Sequence, residues 1–446
     1  MAILSHIRTR RRLAEARFFA LVLLLSSLSF ASAADWPQWR GPELNGKSGE
    51  SSNYPAGWPP KKLWEKDVGM GCTSPILAGG RLYVMGWSGN VSQGRSQNAR
   101  GTDTVYCLDA ASGREIWKQS YPCRFQGRRR AGDLGEYGGP SSTPTLDVGA
   151  GLLLTVSVDG DFACWDARTG KPLWTQNLYD RYDVPQRPNV GGGLRDYGMA
   201  GSPLVLGEQA ILEVGPPLGT LAAFDKRTGK LLWASASKEP AGLSAIPVPL
   251  SVGGARCLAN LSLRKLQVIR LDGAARGQTL AEYPWTTEFA CNIPTPAVTG
   301  SRVALTSGYN HEHMHLVDFT AGRGSRVWES RAFSTVCSPV IHKDAIYTID
   351  DRLRCIDLAT GKVRWQGGSF YHGSLIVTAD ERVLAFGKGR LAVVEARPGT
   401  SQYKELSRVD RIARDICYPH LAFSDGLVAC KDRSGRLAVF SVRGKN

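Results

Sequence analysis

A ring of short, four-stranded antiparallel sheets, all β, is the fold class this sequence predicts. Three observations predict it. One nine-residue pattern recurs along the chain at a spacing wide enough for four strands. Each copy is preceded by a run of consecutive apolar residues, the mark of a strand buried on both faces. No segment carries the sustained 3.6-residue apolar spacing of a helix. With 446 residues, 42% of them hydrophobic and 21% charged, the chain can bury a large core, and a disordered chain is excluded. Fifty glycines show no three-residue period, which excludes collagen.

Residues 1–33 read as a signal peptide. Arg8, Arg10, Arg11, Arg12 and Arg17 precede an almost wholly apolar run from Phe18 to Phe30, and Ala31-Ser32-Ala33 offers the small residues at which such leaders are cut. That run is too short for the roughly 20 residues that span a bilayer. Cleavage near Ala33, a periplasmic or secreted location and no membrane span in the mature chain are therefore expected. Residues 34–60 form a lead-in, and the repeats fill 61–446. Net charge is +15, yet beyond the leader it is scattered without a basic stripe or a reader motif, which argues against nucleic acid.

The repeat is read from four ungapped copies: Asp109, Gly113 and Trp117; Asp166, Gly170 and Trp174; Asp225, Gly229 and Trp233; Asp357, Gly361 and Trp365. Asp can accept backbone N–H groups at the start of a tight turn, and Gly supplies the positive φ that closes a short hairpin. Upstream, Ser74-Pro75, Thr143-Pro144, Ser202-Pro203, Thr295-Pro296 and Ser338-Pro339 open further hairpins. Each unit is thus four strands with a period near that of a propeller blade. Units begin near Cys72, Ser141, Ala200, Ser244, Asn292, Cys337, Gly373 and Tyr418, which gives eight. The eighth lacks its last strand, and Leu63-Trp64-Glu65-Lys66 reads as the missing copy, so an N-terminal strand should close the ring and remove an open edge. The fold expected is an eight-bladed β-propeller. Cys107, Cys164 and Cys355 share one repeat position, filled by Ala223 in a fourth copy, and read as small core residues rather than a disulfide framework.

The recurring Asp-x-x-Thr-Gly-Lys-x-x-Trp pattern resembles the PQQ-like propeller repeat, in which Trp docks between neighbouring blades. Asp35-Trp36-Pro37-Gln38-Trp39-Arg40-Gly41-Pro42 is similar to the start of secreted BamB-like members of that family. The resemblance implies either of two functions, a binding or scaffolding propeller or a quinoprotein dehydrogenase. The dehydrogenase would need PQQ, calcium, an Asp base and, in many members, adjacent paired cysteines. This chain has no adjacent cysteines and few long loops. A non-catalytic module without cofactor, working as a monomer, is therefore expected, with PQQ and calcium belonging only to the alternative.

Two kinds of candidate site stand out. His311, His313 and His315 alternate, so a strand would place all three imidazoles on one side, where a metal could bind; a polar hairpin end is the plainer reading. Two long connections between blades carry Arg124, Arg128, Arg129, Arg130 and Tyr137, and Arg181, Arg187, Arg195 and Tyr197. Both should lie on one face of the ring, where arginine and tyrosine suit a protein or acidic polymer partner. Cys337, Cys417 and His372 are expected at the mouth of the axial channel on that face.

Overall fold

The computed structural model describes residues 35–90, 99–128, 137–242, 244–309 and 311–444. The leader, Arg129, Arg130 and Glu136 lie outside the described residues. Eight four-stranded antiparallel sheets follow one another around a central axis. Blade 1 is Ile76–Ala78, Arg81–Gly89, Arg100–Asp109 and Glu115–Arg124, from axis to rim. Blades 2 to 7 repeat that order, with innermost strands Thr145–Asp147, Leu204–Leu206, Val248–Val252, Ala297–Thr299, Val340–His342 and Ser374–Val377. Blade 8 draws Ala422–Ser424, Leu427–Lys431 and Arg436–Ser441 from the C-terminal end. Its outer strand is Lys61–Asp67. Trp64 pairs with Val439 and Lys61 with Ser441, so the first strand of the chain closes the ring as the repeat count requires.

The repeat motif builds each outer hairpin. Asp166 Oδ1 accepts from the Thr169 amide and hydroxyl, both at 2.7 Å, and the Gly170 amide donates to Asp166 O at 2.8 Å. These bonds hold the carboxyl below its ordinary range, as they do for Asp109 and Asp225; at Asp357 the Arg364 guanidinium is the larger cause and the turn bonds add to it. Gly170 has φ +74°, and a Cβ there would stand 2.6 Å from the ring of Trp117 in the preceding blade. Glycine is thus required twice over, by the turn and by the close approach. Trp117 Nε1 donates to Ala167 O at 3.0 Å, and Trp64, Trp174 and Trp328 make the same bond to Ala110, Lys226 and Leu358 of the next blade. Trp233 instead donates to Gln209 Oε1 in its own blade, and Trp365 lies edge-on to Tyr403 at 5.8 Å. Both adjoin the divergent fourth and seventh blades.

The second and third strands of each blade supply the core, and Cys107, Cys164 and Cys355 are buried there as expected. None of the ten cysteines is joined in a disulfide. Among the described residues the only helical elements are Leu178–Tyr182 and a 3-10 turn at Glu288–Ala290.

Candidate binding face

Hydroxyls link the innermost strands around the axis. The Ser74 amide donates to Thr143 Oγ1 (3.1 Å), Thr143 to Ser202 Oγ (2.8 Å), Thr295 to Ser338 Oγ (2.9 Å) and His420 to Ser74 Oγ (2.7 Å). The Ser-Pro and Thr-Pro steps therefore position the channel wall, one blade bonding the next.

One end of this channel is closed by the lead-in. Trp36 exchanges backbone bonds with Leu77 of blade 1, Leu146 N donates to Pro37 O in blade 2, and Val377 N donates to Gly46 O in blade 7. The segment thus crosses the ring. Trp39 reaches up the axis, donating to Thr295 Oγ1 at 3.0 Å with its ring 4.1 Å from that of His420. Arg40 is 2% exposed and held by main-chain carbonyls of Thr295, Pro296 and Pro339. Burial lowers its guanidinium to about 10 and the His420 imidazole to about 3. In the sequence this segment is legible only as a family mark. Its signal is two tryptophans and an arginine ahead of the first strand.

Above Trp39 the channel opens into a cavity of about 120 Å³. Seven blades contribute the residue four places before the innermost strand: Cys72, Ser141, Ala200, Ser244, Ile293, Val336 and Tyr418. Tyr137, Tyr197 and Tyr309 add to the wall, and among the described residues that line it there is no carboxylate. Cys337 and Cys417, expected at the mouth, are buried one position away; Val336 and Tyr418 stand there instead. The cysteine that does line it is Cys72.

A chain of rings rims the mouth. The Arg433 guanidinium lies 5.4 Å over Tyr137, Tyr137 stacks on Tyr418 at 5.7 Å, and Tyr418 meets His372 at 5.6 Å. His372 packs on Tyr371 at 3.9 Å, and Tyr371 is 51% exposed. Behind this wall Lys431 is fully buried and donates to Gly71 O at 2.5 Å; burial lowers its ammonium to about 8.

The two long connections do bring Tyr137 and Tyr197 together at the cavity. Their arginines fare differently. Arg128 donates through its amide (2.8 Å) and Nε (3.2 Å) to Asp159 Oδ1 and pairs with Asp180, so it fastens blade 1 to blade 2. Arg187 is buried beside Asp196. Arg195 lies 4.7 Å over the Phe289 ring, and Arg181 lies 5.8 Å over Tyr182. Arg124 and Arg181 are the exposed members of the described set.

The three histidines also come together, at the hairpin end of blade 5. His313 Nε2 and His315 Nε2 stand 3.1 and 3.3 Å from the Glu329 carboxylate, and His315 Nδ1 meets Tyr283 Oη at 2.8 Å. Burial lowers His315 to about 4 and also lowers His311. Among the described residues no group of three or more histidine, cysteine or carboxylate side chains is placed to hold a metal ion.

The class so defined is an eight-bladed propeller with an aromatic axial cavity, sealed at one end by its own N-terminal segment. Residues 101–367, more than half of the chain, match the family model described as outer membrane protein assembly factor BamB, and the chain belongs to that family. It is 26% identical over 224 residues to the outer membrane protein assembly factor BamB of Burkholderia pseudomallei (strain K96243), covering 44% of this chain and 51% of that one. It is 29% identical over 166 residues to the quinohemoprotein alcohol dehydrogenase ADH IIB of Pseudomonas putida, covering 36% and 19%. The chain spans about half or less of the length of these curated relatives. BamB from Moraxella catarrhalis superposes with a TM-score of 0.55 at 12% identity, over 86% of this chain and 99% of that one. The quinohemoprotein alcohol dehydrogenase from Comamonas testosteroni superposes at 0.60 and 13% identity, over 93% and 81%. At such identities these likenesses establish the fold alone.

Proposed function

We propose that the protein works outside the cytoplasm as a non-catalytic binding or scaffolding propeller, taking a protein partner on the face where the axial cavity opens. The observation that carries this reading is the make-up of that face. Aromatic rings and hydroxyls are held on a rigid ring, with Tyr371 projecting from the rim, and rigid aromatic anchors are what a protein interface uses most. Exposed Arg124, at the end of the outer strand of blade 1, and Arg181, in the connection after blade 2, favour a partner bearing carboxylates.

The likeness to quinohemoprotein dehydrogenases motivates a test of the alternative. Calcium binds through oxygen ligands, carboxylates foremost, and alcohol oxidation on a quinone needs a carboxylate base. Among the described residues the cavity wall supplies hydroxyls and one thiol but no carboxylate. Those residues do not fit the cofactor pair. Purified protein incubated with calcium, PQQ, a primary alcohol and a dye acceptor should neither retain the quinone nor reduce the dye. Stoichiometric quinone uptake with dye reduction would establish the dehydrogenase instead.

A further inference from the structure

The innermost strands present their backbone to the axis in a fixed pattern. In a two-residue hairpin the pair beside the turn is hydrogen bonded and the next pair is not, so the residues of that second pair turn N–H and C=O away from each other. Leu77 of blade 1 holds this position, paired with Leu82 behind Ala78 and Arg81. Its two outward groups are the ones that exchange bonds with Trp36 of the lead-in. Val298, paired with Val303, and Ile341, paired with Ile346, hold the same position in blades 5 and 6. Pro249, paired with Leu258, holds it in blade 4.

The lead-in takes some of these edges and leaves others open. It uses both groups of Leu77, the amide of Leu146 in blade 2, and both groups of Val377 in blade 7 through Gly46 and Ser48. Between its residues 43–47 and blades 4 to 6 lies a cavity of about 140 Å³, lined by Pro249, Val298 and Ile341. Among the described residues nothing bonds the N–H and C=O that Val298 and Ile341 turn to the axis. Glu43 and Lys47 also line the cavity, and among the described residues neither is in an ion pair. Leu44 and Ala297 add apolar wall. At roughly 10–15 Å³ for each water the space takes about ten, enough for a di- or tripeptide of small residues.

We propose that this cavity binds a short free peptide, two or three small residues long, in extended form. The lead-in shows the mode. Trp36 and Pro37, adjacent in sequence, bond Leu77 and Leu146 of adjacent blades, so successive peptide units match the step from one blade to the next. A bound peptide takes the step from Val298 to Ile341 in the same way, with its ammonium towards Glu43 and its carboxylate towards Lys47. Blade 4 offers no N–H at this level because proline stands there, so the donors come from blades 5 and 6. The site is at the end of the ring opposite the open face and does not depend on a partner docking there.

Calorimetric titration of the full chain with trialanine tests the assignment. One peptide per chain is expected, with a Kd of about 1 mM or tighter, as suits a ligand of that size. Val298→Pro removes one inward N–H and should weaken binding about tenfold. Proline already occupies the matching place in blade 4, so the strand should accept it, and a melting curve reports whether the variant folds. Trialanine amide, which lacks the carboxylate, should bind the parent about tenfold more weakly than trialanine, whereas Lys47→Gln should bind the two peptides alike. That comparison decides the matter if Val298→Pro does not fold. No saturable binding by the parent, full affinity in a folded Val298→Pro, or an equal loss on amidation in parent and Lys47→Gln would overturn the proposal.

Discussion

Replacing Asp103 by asparagine should stabilise the fold at pH 8 and leave it nearly unchanged at pH 4. Asp103 lies on the third strand of blade 1, fully buried, and neither carboxylate oxygen has a protein hydrogen-bond partner. Burial pushes its carboxyl from 3.8 to about 7; the Cys123 thiol opposes this, and Asp161 and Asp159 of blade 2 add to it. A carboxyl raised on folding contributes its full stability below its unfolded value and loses it as pH rises towards the folded one. The window here is therefore about pH 4 to 7. At 1.36 kcal/mol per pKa unit the whole loss is about 4 kcal/mol, of which roughly 2.5 falls between pH 5 and pH 8. The asparagine side chain would keep the shape and carry no charge. Urea melts of parent and Asp103→Asn at pH 5 and pH 8 should diverge by about that amount, the variant being the more stable at pH 8. Parallel pH profiles for the two proteins would refute the reasoning.

Other expectations follow from single contacts. Trp64→Ala removes the ring that caps blade 1 and its bond to Ala110, and should cost about 3 kcal/mol in a denaturant melt. Gly170→Ala forces a side chain into positive φ and onto Trp117, costing about 1–3 kcal/mol in the same assay. Arg128→Ser should lower stability by about 1–2 kcal/mol, because this arginine binds Asp159 and Asp180 rather than waiting for a partner. Short exposure of native protein to iodoacetamide should label Cys72, the cysteine that is not buried, with mass spectrometry finding the other nine protected.

The ring is legible in sequence because its turns are chemical. Asp, Gly and Trp at fixed spacing each have a local job, and the orphan Trp64 copy announces the strand that closes blade 8. What stays hidden depends on residues far apart in the chain. Arg128 looks like a free surface charge in the sequence because its partners, Asp159 and Asp180, are 31 and 52 residues away in another blade. Cys337 and Cys417 miss the cavity by one position, and in a channel wall one position decides which side chain points inward. The lead-in gives no periodic signal, so its passage beneath the axis is visible only once blades 1, 2 and 7 are in place. Tyr137 and Tyr197 are legible because both end long connections that the repeat count places on one face.

Site-specific crosslinking tests the central claim most directly. A photoreactive phenylalanine placed at Tyr371, on the rim of the open face, is compared with one at Lys47, in the segment that seals the opposite end. Irradiation in cells, followed by denaturing purification, should yield a discrete protein adduct from position 371 and none from position 47. Adducts of equal yield from both positions, or from position 47 alone, would contradict a partner docked on the open face of the ring.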